Sequence, residues 1–269
     1  MAFTTFIDDL ALVEVLLLLA AAVFAYSGVM IWWAIRTNQP GSVKKILHGA
    51  AVPIGAVGIA TTALSLWGEM TWPFLASDGL AGYNIFFFDA LLLFGLLLVA
   101  YATAAYFGTR MQYVGLFALV AGGVTAFYGY TGYTASPAFT KDPLDTLLLY
   151  LGFAVAGILA FPASVIIDYY LDSVAALKAP FRTTPSPAAA VRPRGMGTRG
   201  AQPVNPAREA APANAPESEA TPEVYHVPVW VQTFLLLFPV FMAIAGFAAL
   251  WYFGITLPGH LGSGPGAAP

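Results

Sequence analysis

Residues 10–35 read "LALVEVLLLLAAAVFAYSGVMIWWAI" and carry a single charge, Glu14. As an α-helix rising 1.5 Å per residue this run is about 39 Å long. A bilayer's hydrocarbon core is about 30 Å thick and needs about 20 apolar residues to cross. The run therefore predicts a membrane-spanning helix. Asp8 and Asp9 precede it where a secretory leader would place basic residues, so it is expected to be a retained first span. Arg36 and the polar stretch "RTNQPGSVKK" follow it.

Five further runs have the same character: Ile46–Leu66, Tyr83–Phe107, Tyr113–Gly132, Thr146–Ile167 and Val229–Ile255. Lipid cannot satisfy a free peptide group, so a spanning segment is a helix or a strand of a closed barrel. These runs lack the apolar–polar alternation of barrel strands. The expected fold is all-α, a polytopic bundle of six transmembrane helices. Composition agrees, with 59% hydrophobic and 9% charged residues in 269, against about 25% charged in soluble domains. The absence of cysteine excludes disulfides, thiolate nucleophiles and cysteine-ligated metals. A net charge of −3 without an aromatic-interleaved basic surface excludes nucleic acid as an expected partner.

Basic residues alternate between the loops. Arg36, Lys44, Lys45 and Arg110, then Lys178, Arg182, Arg192, Arg194, Arg199 and Arg208, fall on one side. The other side has only Lys141 beside Asp8, Asp9, Glu69, Asp78, Asp142 and Asp145. Basic loops mark the cytoplasmic side, which predicts both termini outside a cell membrane. Residues 1–178 are expected to form a five-span region, 179–227 a disordered Pro/Ala/Arg-rich cytoplasmic linker, 228–256 the sixth span and 257–269 a flexible outer tail. The linker expectation rests on "TTPSPAAAVRPRGMGTRGAQPVNPAREAAPANAPESEATPE", which buries too little apolar surface to offset its ordering entropy. Small residues recur at helical spacing in span two (Ala51, Gly55, Gly58, Thr62) and span five (Gly152, Ala156, Ala160), a pattern that lets backbones approach closely in lipid.

The chemistry-bearing candidates concentrate near the outer ends. Glu69 closes span two, Asp89 lies about 9 Å inside span three at 1.5 Å per residue, and Glu14 lies at similar depth in span one. A carboxylate in a low-dielectric layer takes a proton, accepts several hydrogen bonds or holds a cation. The competing structural reading is that Glu14 and Glu69 reach the head groups while Asp89 is held by Tyr, Trp or backbone donors. His48, at the inner end of span two, and His226, before span six, are the one pair that could meet as haem or metal ligands. No cofactor is expected. No phosphate loop, catalytic-serine elbow or HExxH pattern occurs, so no catalytic residue is assigned.

The segments "GEMTWPF" and "GYNIFFFD" resemble those of an uncharacterised family of multi-span integral membrane proteins known as a domain of unknown function, which has Gly-Glu…Trp-Pro followed by Tyr-Asn-Ile…Asp. The resemblance implies a shared membrane fold and brings no activity. It suggests that Glu69, Trp72, Tyr83, Asn84 and Asp89 act together. Three functional readings follow. The first is an outer-face pocket on Glu14, Glu69, Asn84 and Asp89 that binds or conducts a proton, cation or small polar solute. The second is a non-catalytic structural subunit of a larger membrane complex, and the third a redox protein using His48 and His226. Expected partners are the lipid bilayer and either other membrane subunits or a second copy of the chain.

Overall fold

A computed structural model describes residues 9–71, 85–135, 143–178 and 227–262. Residues 179–226 of the expected linker, His226 among them, and Trp72, Tyr83 and Asn84 lie outside the described residues. Among those described, every regular element is helical. Helices α1 (Asp9–Arg36) and α2 (Pro40–Thr71) are followed by a π-helical turn, Ile85–Asp89, that leads into α3 (Ala90–Phe107). Then come α4 (Gln112–Thr134), α5 (Pro143–Lys178) and α6 (Val229–Gly262). Six of these helical segments are long and apolar enough to cross a membrane.

The helices overrun the apolar runs that predict them. Helix α2 begins at Pro40, inside the expected loop, because proline's fixed φ and missing N–H suit the first helical turn. The turn that remains is Thr37–Gln39, with Asn38 at φ 53° and the Gln39 N–H donating to the Ala34 carbonyl at 2.7 Å. Helix α5 continues past Ile167 to Lys178, and α6 past Ile255 to Gly262. Charged residues cost little at a helix end that leaves the hydrocarbon, so hydropathy underestimates helix length there.

Each helix packs on its neighbours in sequence, and α6 packs on α1, so the six close into a ring. Glycines set the tightest approaches. A Cβ on Gly58 of α2 would lie 2.8 Å from the Leu98 Cβ of α3 and 2.9 Å from the Val99 N. One on Gly122 of α4 would lie 2.7 Å from the Ala154 carbonyl oxygen of α5. Backbones this close gain dispersion contacts that lipid tails cannot match. The outward faces carry exposed large apolar residues such as Ile59, Leu116 and Phe127. An apolar perimeter around an apolar interior fits a helix bundle solvated by lipid rather than water.

At the basic end, Gly108 terminates α3 in a left-handed conformation, φ 66°. Asp168 of α5 then receives the Met111 and Gln112 N–H groups at 3.1 and 2.8 Å. A helix start leaves its first N–H groups without intrahelical partners, and an anion there also complements the helix dipole. Asp168, only 9% exposed, thus pins the start of α4 to α5. At the same end the Tyr170 hydroxyl donates to Asn38 Oδ1 at 3.1 Å, tying α5 to the α1–α2 turn.

Candidate functional site

The acidic end of the ring is organised by "IFFFD", residues 85–89. A π turn spaces its hydrogen bonds five residues apart, which frees a carbonyl and re-aims the side chains that follow. Here the Tyr150 hydroxyl of α5 donates to the Phe86 carbonyl at 2.7 Å. Phe86, Phe87 and Phe88 are all buried. Phe86 lies 4.8 Å, centroid to centroid, from Tyr150. A Cβ on Gly132 would collide with the Phe86 ring and one on Gly68 with the Phe88 ring, so two glycines make room for two phenyl groups.

With its aromatic neighbours seated this way, Asp89 is half-buried and turns toward α4 and α2. The Tyr128 hydroxyl donates to Asp89 Oδ2 at 2.8 Å. Glu69, two residues before the end of α2, lies near enough to Asp89 for the two carboxyl groups to act on each other electrostatically. Glu69 Oε1 is buried and has no hydrogen-bond partner among the described residues. Two acidic side chains from two helices therefore lie near each other, with a tyrosine hydroxyl as the donor that orients one of them.

Glu14 is the third candidate carboxylate. It is 2% exposed on α1 and lines a cavity of about 50 Å³ with Phe87, Leu91, Tyr150 and Tyr252. The expected outer layer thus holds Glu69 near Asp89, and Glu14 in the wall of a small cavity. Among the described residues no group of three His, Cys, Asp or Glu side chains is arranged to hold a metal ion. His48 is exposed on the outer face of α2 and stacks on Tyr106 of α3, with centroids 4.7 Å apart and planes 21° apart. Its proposed counterpart His226, like Trp72, Tyr83 and Asn84, lies outside the described residues.

Sequence reasoning missed Tyr128, which with Tyr130 and Tyr133 falls near the outer end of its span, where interfacial aromatics gather. Tyr130 and Tyr133 are exposed and fit that role, whereas Tyr128 is only partly buried against the bundle and bonds Asp89. The available signal was its depth, several residues inside the end of α4, close to the level at which Asp89 enters α3.

Residues 1–178 match a family described as "protein of unknown function (DUF981)". No curated protein and no solved structure matches the chain.

Proposed function

The chain belongs to this family of proteins of unknown function, and on that premise we propose an integral protein of the cell membrane, both termini outside, that holds an exchangeable proton between Glu69 and Asp89. The single observation that carries this reading is a buried, partnerless Glu69 oxygen near an Asp89 carboxyl that accepts from Tyr128, the two acids standing on different membrane-crossing helices. Two unit charges 4 Å apart repel by about 4 kcal/mol at an effective dielectric constant of 20. One proton removes that repulsion and supplies the hydrogen that a carboxyl–carboxyl hydrogen bond requires. Asp89 already accepts from Tyr128, which makes it the acceptor of the pair and Glu69 the proton carrier. The partnerless Glu69 Oε1 is also tolerated better on a neutral acid than on a carboxylate. Releasing and recapturing this proton is the elementary step of a proton-coupled transporter or a pH-responsive binding protein.

The test is the melting temperature of the purified full chain, Asp89→Asn and Glu69→Gln across pH and across sodium, potassium, magnesium and calcium salts. A folded state that binds a proton the unfolded chain has lost is destabilised as pH rises. Wild type is therefore expected to melt lower at higher pH, and Asp89→Asn to lose that slope. A salt that restores wild-type stability at high pH would make a metal cation the occupant in place of the proton. Identical pH and salt responses in all three proteins would remove the site.

A further inference from the structure

At mid-depth the ring encloses a cavity of about 100 Å³ to which all six helices contribute. Its origin lies in the sequence: α4 and α5 turn Ala118, Ala121, Ala156, Ala160 and Ala163 toward the axis, where larger residues would close the space. The wall is apolar. Of its polar side chains, Ser27, Thr125 and Ser164 donate back to carbonyls of their own helices, Phe24, Ala121 and Phe161, at 3.3, 2.8 and 2.7 Å. Tyr101 presents its ring edge-on to Phe24 at 4.8 Å. Water needs two to four polar partners to reside in a cavity, and an apolar cavity of about 150 Å³ stays dry and admits benzene or xenon. The natural occupant is therefore hydrocarbon.

The structure also shows a route in. Among the six neighbouring pairs, α3 and α4 touch least. The cavity is lined from both sides of that seam, by Leu97 and Tyr101 of α3 and by Val114 and Ala118 of α4. The seam faces the lipid, as the exposed Leu96 and Phe117 beside it indicate. At the basic end the lining reaches Met111, immediately after Arg110, whose exposed guanidinium pairs with Asp172 of α5 at 3.3 Å. We propose that the cavity receives one acyl chain of a bilayer phospholipid, inserted between α3 and α4 with its head group at the Arg110 end. This inference does not rest on the Glu69–Asp89 pair, which lies at the other end of α3.

The test uses the full chain in nanodiscs of phosphatidylcholine doped with phosphatidylglycerol carrying a mid-chain diazirine. After photolysis, labelled peptides are mapped by mass spectrometry. The expected result is labelling of inward residues such as Phe94, Tyr101 and Phe153, besides the lipid-facing Leu116, Val120 and Phe127. In Ala118→Leu/Ala156→Leu the inward labels should disappear while the lipid-facing ones persist, which also shows that the variant is folded. Wild-type labelling confined to the lipid-facing residues overturns the proposal without recourse to any variant. So does inward labelling by a diazirine fatty acid alone and not by the phospholipid.

Discussion

Removing the carboxylate of Asp168 should be the most damaging single change at the basic end. Its two oxygens accept the Met111 and Gln112 N–H groups at 3.1 and 2.8 Å, and Met111 is 4% exposed. Loss of an N-terminal cap costs about 0.5–2 kcal/mol, and a buried donor left without its acceptor about 1–3 kcal/mol. Met111 bears the full loss and the half-buried Gln112 N–H recovers part of its own from water, so Asp168→Ala should cost about 2–3 kcal/mol. Asp168→Asn keeps one acceptor oxygen but loses the charge that complements the helix start, and should cost about 1 kcal/mol. The control lies one turn away. Asp172 pairs with Arg110 at 3.3 Å with side chains 64% and 60% exposed, an arrangement worth at most about 0.5 kcal/mol. Unfolding of the purified protein by increasing SDS mole fraction, followed by tryptophan fluorescence, gives the order directly. Asp172→Ala should track wild type, Asp168→Asn should fall below it and Asp168→Ala lowest. If Asp172→Ala costs as much as Asp168→Ala, the surface ion pair and not the buried cap holds α4 to α5, and the argument fails.

Gly95→Ala should destabilise by about 1–3 kcal/mol, because its Cβ would lie 2.8 Å from the Thr62 backbone nitrogen across the α2–α3 contact. Gly49→Ala, with nothing within 4 Å, should instead stabilise by about 0.5–1 kcal/mol, and thermal melting compares the two. Tyr128→Phe removes the donor to Asp89 at 2.8 Å and should cost about 1 kcal/mol in the same thermal melting comparison. For orientation, single cysteines at Thr109 and Thr134, exposed at opposite ends of α4, should react with an impermeant thiol reagent in intact cells only at Thr134. Reaction at Thr109 alone would invert the topology.

The six spans were legible because a span's signature, a long apolar run, is local. The small residues of span two were legible for the same reason, and Gly58 indeed meets Leu98. What could not be read is everything fixed by contact between distant stretches. Asp168 lies 57 residues from Met111, and nothing in "VIIDYYLDS" announces that its first carboxylate caps a different helix. Glu69 and Asp89 were legible as neighbours in depth, but depth does not specify azimuth. It takes the π turn at Ile85–Asp89 to rotate Asp89 toward Glu69 and Tyr128, while Glu14 at similar depth stands in the wall of a small cavity. The central cavity had no local signature either, because alanines on α4 and α5 leave a void only once six helices have closed around them.

That closure also has a temporal side. Helix α1 is synthesised well before α6, yet α6 is one of its two packing partners: Ala20 and Ala21 are fully buried, and a Cβ on Gly246 would stand 2.9 Å from the Ala21 Cβ. Until residues 229–262 are synthesised, the face of α1 that packs on α6 has only lipid to touch. Assembly is therefore a race between waiting and mispairing, decided by how long a nascent five-helix arc keeps its two free flanks from finding each other or a neighbouring copy. A sixth helix expressed as a separate polypeptide could still enter that gap, so the molecule has one natural place at which to be made in two pieces.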